Sequence, residues 1–267
     1  MKLEELLKNK FLYSEKKNII KYLYFFIHKF FKKRVKKYYS ATGIDLLINY
    51  LFKNKDDGIY LDVGCYHPIR ANNTFLLHKK GWKGINIDID YHTIDMFNFF
   101  RPKDFNKQIA ISDKSDEVDF YFYHNKSSIN TLSNEIYKYR GSKGAEIKKI
   151  KTKSLNSIIE ESPFKDKKIN FVSIDVEGYE MNVLKGFDLE KYYPDVIVLE
   201  YLDLMMKKTE FHNQDIERLI DSKLYKYMKS YNYHFVNWLH SDLVFVSDNI
   251  RDIYESLSSS CRHQLQI

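Results

Sequence analysis

The apolar positions of this chain change period from segment to segment. Short apolar runs fall at Ile59–Val63 and at residues 84–89, 105–111, 169–175 and 195–200, each the length of a strand. Between them the spacing relaxes to three and four at residues 72–80, Tyr91–Phe100, 154–161 and 178–186, the mark of an amphipathic helix. Gly81 closes the first of these helices and Pro102 stops the second. Strands alternating with helices predict a mostly parallel sheet with helices on both faces. The run 169–175 is apolar throughout, so it should lie at the centre of that sheet. Residues 117–124 alternate strictly and read as a strand outside the main repeat, with a second strand at 146–151. A single long helix is predicted over 213–230, followed by a hairpin of 234–238 with Asp242–Val246.

The first forty residues follow another pattern. Leu23, Phe26, Ile27, Phe30, Phe31 and Val35 recur at helical spacing, with Lys21, Lys29, Lys32, Lys33 and Lys36 between them. A helix is predicted over 1–39, ending at Thr42 and Gly43. Residues 1–40 carry a net charge of +9 against +7 for the whole chain, so residues 41–267 carry about −2. The basic character therefore belongs to this segment, and a nucleic-acid-binding surface on the main domain is not expected. Such a helix could lie peripherally on an anionic membrane, or pack on the domain or on a second subunit of a homo-oligomer. Its longest apolar run, residues 22–27, is far short of the ~20 residues that span a bilayer.

The organisation expected is a basic amphipathic segment at 1–42, one domain at 43–250 with an insertion at about 112–150, and a tail at 251–267 that reads as disordered. Two cysteines, Cys65 and Cys261, make neither a disulfide framework nor a CxxC zinc site, and a cytoplasmic location is the simplest expectation.

The chemistry gathers at strand tips. Tyr60-Leu61-Asp62-Val63-Gly64-Cys65 runs an apolar strand into an acid and then a glycine, where a ligand could approach the backbone closely. The next strand ends in Asp88, 24 residues after Gly64, and a carboxylate there could accept both hydroxyls of a ribose. Asp90, two residues on, competes for that role, and either acid could instead cap a helix or turn. No G-x-G-x-x-G or G-x-x-x-x-G-K stretch occurs, which disfavours pyrophosphate and triphosphate ligands. An adenosine without phosphates fits better, and S-adenosylmethionine is the common one. The central strand ends in Ser173-Ile174-Asp175-Val176-Glu177-Gly178-Tyr179-Glu180. Asp175 and Glu177 share a face if the strand continues, and could hold a hydroxyl, act as base or bind a cation; Glu177 could also cap the following helix.

Asp62-Val63-Gly64, Asn73-Thr74, Gly81-Trp82-Lys83-Gly84-Ile85, Ala110-Ile111-Ser112-Asp113 and above all Ile174-Asp175-Val176-Glu177-Gly178-Tyr179-Glu180 with Leu184-Lys185-Gly186 resemble the FkbM-type methyltransferases. The likeness runs from about residue 58 to 200. It implies a Rossmann-like class I methyltransferase fold with a seven-stranded sheet, S-adenosylmethionine as donor, and O-methylation of natural products or of sugars in surface polysaccharides such as bacterial capsules. It further implies cofactor roles for Asp62, Gly64, Cys65, Asp88 and Asp175, with Ser112 and Asp113 near the adenine. Where many members carry A-N-x-G after D-V-G, this chain has Cys65-Tyr66-His67-Pro68, so His67 could face the acceptor.

A hydroxyl must lose its proton to attack a methyl group. His67, His124, Asp175 and Glu177 are the candidate bases. The reading that results is an O-methyltransferase acting on a sugar, free or nucleotide-linked. A non-sugar small molecule or lipid, or an inert cofactor-binding domain, are the alternatives. Asp175, Glu177 and a histidine could bind a divalent metal, but no HxH or HExxH spacing supports one, and no metal ligand is assigned.

Overall fold

A computed structural model describes residues 38–124, 127, 129–141, 143–202 and 214–251. The expected helix at 1–39, its membrane or subunit contacts, and the tail at 252–267 lie outside the described residues.

Seven strands form the main sheet: β1 (Ile59–Val63), β2 (Lys83–Asp88), β3 (Phe105–Gln108), β7 (Ile169–Ile174), β8 (Val196–Glu200), β9 (His234–Leu239) and β10 (Asp242–Val246). Their order is β3-β2-β1-β7-β8-β10-β9. All pairings are parallel except β10, which runs antiparallel to β8 and β9. This is the mostly parallel, seven-stranded Rossmann-like sheet expected. Every residue of β7 and β8 is buried, including the polar Asn170, Ser173 and Glu200 among their apolar neighbours. Three further strands, β4 (Ala110–Ile111), β5 (Glu117–Phe122) and β6 (Glu146–Lys153), make a second sheet in the order β4-β6-β5.

The period-two alternation of the strands sends side chains to two cores. On one face Leu61, Val63, Val172, Ile174, Ile197 and Leu199 pack with helices α5 (Leu155–Glu161), α6 (Glu180–Lys185), α8 (Ile216–Asp221) and α9 (Lys223–Ser230). On the other, Tyr60, Phe171, Val196, Val198, Val244 and Val246 pack with Ile44, Ile48 and Leu51 of α1 (Ile44–Leu51) and with Leu77 of α2 (Phe75–Lys79). Helices α3 (Tyr91–Phe100), α4 (Asn134–Arg140) and α7 (Leu189–Tyr192) complete the chain order.

The element pattern differs from expectation at six places. The run 105–111 is not one strand. Ile109 donates its amide to the carbonyl of Asp88, the last residue of β2, so the ladder is exhausted there, and Ala110–Ile111 turns away to pair with Thr152 and Lys153. The helix expected over 213–230 is two. Ser222 adopts an extended conformation, and its hydroxyl accepts from the amide of Tyr225, capping α9. The helix over 72–80 begins only at Phe75, because Asn72 and Thr74 are drawn into a buried polar network. Helices α1, α4 and α7 were not among the elements expected, although Ile44, Leu47, Ile48 and Leu51 recur at helical spacing in α1. In α1 the buried Asp45 accepts from Tyr39 N and Ser40 Oγ, which ties the helix to the segment before it.

That network centres on Arg101, which is fully buried. Its guanidinium donates to Pro68 O (2.6 and 3.1 Å), Asn72 Oδ1 (2.8 Å), Thr74 Oγ1 (2.8 Å) and Tyr60 Oη (3.2 Å). Asn72 and Thr74 in turn donate to Asp62 Oδ2 (3.0 and 2.8 Å), and Tyr60 donates to Asp104. The rings of Phe97 and Phe75 flank the guanidinium at 4.8 and 5.3 Å. One cation thus serves two buried carboxylates through bridging side chains, and the loop from Gly64 to Thr74 is fixed by it. Removing one side of such a buried network costs ~3–5 kcal/mol. Arg101→Met, which keeps the volume and removes the charge, should lose that much in urea denaturation, and adding Asp104→Asn should restore part of it.

Candidate active site

The carboxyl edge of the sheet is assembled by the tips of β2, β1, β7 and β8. Gly64 follows β1 with φ +76°, and a Cβ at this position would stand 1.7 Å from the carbonyl oxygen of Asp175. No side chain fits there, so the glycine is required by backbone meeting backbone. Gly64 N donates to Ile87 O (2.9 Å) and Asp175 N to Val63 O (2.9 Å), which locks three strand tips together.

On the β2 side, Asp88 accepts from Tyr66 N (3.0 Å) and Asp90 N (2.8 Å). It retains partial solvent access while protein surrounds it, as a side chain lining a cleft does, and burial pushes its carboxyl up to about 6. The competitor Asp90 has a different job: its carboxylate accepts from His92 N and Thr93 N and caps α3. Asp62 lies beneath, buried, with Oδ2 engaged by Asn72 and Thr74 and its carboxyl raised by burial. The Cys65 thiol is buried against Ile94 and Phe97 and raised well above its usual range by burial. Ser112 is buried after β4, its hydroxyl within 3.2 Å of Tyr179 Oη and bonded to Asp113 Oδ1 (3.0 Å), while Asp113 is exposed. Gly186 passes so close to Ser112 that a Cβ would lie 2.3 Å from its carbonyl oxygen, which gives the L-K-G run a packing reason.

On the β7 side, Asp175, Glu177 and Glu200 converge, with carboxylate oxygens within 4.8 Å of one another. Asp175 is exposed to solvent at the strand edge, while desolvation of its carboxyl among neighbouring groups, then the charges of Glu177 and Asp242, hold that carboxyl well above the usual range. Glu177 takes a left-handed backbone, φ +56°, and pairs with Arg140 of α4. Burial raises its carboxyl and Arg140 opposes that rise. The next residue, Gly178, also has positive φ, and a Cβ there would clash with Ile136 of α4 at 2.3 Å. This turn is held from inside by Glu180, whose buried carboxylate accepts from Val176 N and Gly178 N (both 3.1 Å) and is pushed up to about 7 by burial. It is held from outside by Thr131, whose hydroxyl donates to Glu177 O (2.7 Å).

The structure therefore brings together Asp175 with Glu177, and Gly64 with the tips that carry Asp62 and Asp88. The two histidines have other surroundings. His67 accepts on Nδ1 from Ile69 N and Arg70 N (3.0 and 3.1 Å), so its neutral ring carries the proton on Nε2. His124 is exposed on the insertion, its carbonyl taken by Asn130 and Ser127. The residues missed are Glu200, Asp242, Glu180 and Arg140. Glu200 carries the signal that singled out Asp88 and Asp175, an acid at the carboxyl tip of an apolar strand. Arg140 carries no local signal, since its partner is 37 residues away.

A doubly wound parallel sheet with acids on its carboxyl edge defines a Rossmann-like α/β protein with its site at the strand tips. The chain belongs to the FkbM methyltransferase domain family, whose model matches residues 62–235, well over half of the chain. No curated protein and no solved structure matches it. No described helix is long and apolar enough to cross a membrane.

Glu180 should matter through geometry rather than charge. Glu180→Gln keeps an acceptor for both amides and should cost under ~1 kcal/mol, whereas Glu180→Ala leaves two buried donors unpaired and should cost ~2–4 kcal/mol by thermal melting.

Proposed function

We propose that this chain is an S-adenosylmethionine-dependent O-methyltransferase whose acceptor is a sugar hydroxyl, carried on a nucleotide or on a surface-polysaccharide precursor in the cytoplasm. The observation that carries the reading is the meeting of two edges at Gly64: an acid suited to a ribose on one side and a group of proton-accepting acids on the other.

The residues fit such a donor. Asp88 is enclosed yet accessible, and its carboxylate could accept the two ribose hydroxyls while Tyr66 N and Asp90 N orient it. Ser112 and Asp113 lie beyond the β2 tip, where an adenine would extend. Gly64 offers bare backbone for the chain between sulfur and ribose. When bound, the donor supplies an electrophilic methyl on a sulfonium.

The acceptor's proton needs a destination. Asp175 is open to solvent at the strand edge, and its raised affinity for a proton makes it a better base than a free carboxylate. Glu177, held by Arg140, could accept a neighbouring hydroxyl and orient the acceptor. A sugar suits this edge because carboxylates are acceptors and a polyol is rich in donors. The insertion, about residues 112–150, would form the wall on the acceptor side, with the polar residues Ser127, Asn130 and Thr131. His124 and His67 are weaker candidates for the base, being held on the insertion and by the loop backbone.

Calorimetric titration with S-adenosylmethionine should show saturable binding, with no binding of NAD. Asp88→Asn should weaken it at least ~10-fold, since hydrogen bonds to a charged group contribute ~1.5–3 kcal/mol. Absence of binding by folded protein would overturn the donor assignment. A screen of nucleotide-sugars with labelled donor then tests the acceptor, where transfer only to non-sugar hydroxyls would overturn that part.

The pH dependence follows from Asp88. Its carboxyl is pushed up to about 6, so the accepting carboxylate is present above that pH and protonated below it. Donor affinity should be level above pH 7 and fall as pH drops through 6, approaching ~10-fold per unit. A flat profile from pH 5 to 8 would remove Asp88 from the ribose contact.

A further inference from the structure

The acids beyond β1 outnumber the cations that face them. Among the described residues, the ion pair made by Asp175, Glu177, Glu200 or Asp242 is that of Glu177 with Arg140. Glu200 is only 8% exposed, yet its Oε2 has no hydrogen-bond partner among the described residues. The partner of its carboxyl group is Asp175, another acid. Asp242 stands opposite Glu200 on β10 and is also buried, with Thr42 Oγ1 at 3.4 Å. A buried carboxylate oxygen without a donor is expensive, and a second carboxylate beside it makes it more so.

Three carboxylates from three different positions converge here: the β7 tip, the turn after it and the β8 tip. An octahedral divalent ion holds its oxygens roughly 3–4 Å apart, so the spread of up to 4.8 Å needs only a small side-chain adjustment. The ligand set is all oxygen, which suits a hard cation and disfavours zinc or copper. The accessible face of Asp175 leaves room for water or a substrate oxygen, as a magnesium-type ion requires because it dehydrates reluctantly.

We propose that Asp175, Glu177 and Glu200 form a binding site for one divalent cation of the magnesium or manganese class, with the orphan Oε2 of Glu200 as its innermost ligand. This deepens the reading of the same edge as the acceptor site. With the ion bound, Asp175 would serve as ligand in place of base, and the acceptor hydroxyl, polarised by the ion, would release its proton to water. The sequence shows two of the three ligands and not the third. Asp175 and Glu177 are near neighbours, but Glu200 arrives from the adjacent strand, and no histidine is needed.

The test uses the full chain with neither donor nor acceptor present. Manganese is added and the free ion is followed by electron paramagnetic resonance. The expected result is one bound ion per chain, displaced by magnesium, with affinity at least ten-fold lower in Glu200→Gln and lower again in Asp175→Asn. Circular dichroism verifies that each variant is folded. If Glu200→Gln fails to fold, Asp175→Asn decides, since its side chain lies at the accessible edge. No saturable binding up to millimolar manganese overturns the proposal. Equal binding by the wild-type chain and both variants also overturns it, because the ion is then elsewhere. Because no donor is present, a chain that binds manganese but not S-adenosylmethionine overturns the donor reading alone, and the converse result overturns the cation site alone.

Discussion

The close approach of Gly64 to the carbonyl of Asp175 is the constraint on which the site depends. Adjacent parallel strands normally diverge at their tips as the loops take over. Here the chain leaving β1 is pressed onto the chain leaving β7, closer than any side chain permits. The amide of Asp175 reaches back to Val63, and that of Gly64 across to Ile87. Three strands thus finish at one level, and the side chains of Asp88 and Asp175 emerge on either side of a ridge of bare backbone. The buried Arg101 holds that arrangement from below. It fixes Pro68, Asn72 and Thr74, and through the last two the carboxylate of Asp62, so the loop carrying Tyr66 to Asp88 cannot drift.

The two sides of the ridge differ in how their acids are satisfied. Asp88 has two backbone amides directed at it. Asp175 and Glu200 have mainly each other, with Glu177 and Asp242 close behind. A carboxylate fed by amides is ready to accept hydroxyls without further help. A group of carboxylates that face one another must take up protons or a cation before it is comfortable. The turn between them shows the same tension in its backbone. Glu177 and Gly178 both adopt positive φ, and the buried Glu180 must hold two amides to keep the turn in place. Strain of this kind persists only where surrounding contacts over-determine it.

Much of the fold was legible because it rests on local periodicity. The strands from β1 to β10 that build the main sheet follow apolar runs, and Asp62, Gly64, Asp88 and Asp175 announce themselves as polar residues at the ends of those runs. The failures share a cause. Ala110–Ile111 continues an apolar run but pairs in another sheet, because β2 has no further carbonyl to offer after Asp88. Helix α1 carries an apolar period in Ile44, Leu47, Ile48 and Leu51, but the bond from Ser40 to Asp45 that ties it to the preceding segment has no such signal. Glu200 was readable by the same strand-tip rule as Asp175, but the rule was not carried to the fifth strand. Arg140 was not readable at all, since its role exists only once the insertion folds back.

The insertion therefore touches the chemistry through few, identifiable links. Thr131 bonds the carbonyl of Glu177, Arg140 pairs with its carboxylate, and Ile136 fills the space above Gly178. None of these reaches the loop that carries Asp88. A change in the insertion can thus move Glu177 while Gly64, Arg101 and Asp88 stay fixed by contacts of their own. Glycine at 178 follows from the same logic: any side chain there would push α4 away and release the pairing of Arg140 with Glu177. Beyond Asp113, then, the insertion's named contacts with the strand edge all fall on the turn between Asp175 and Glu180.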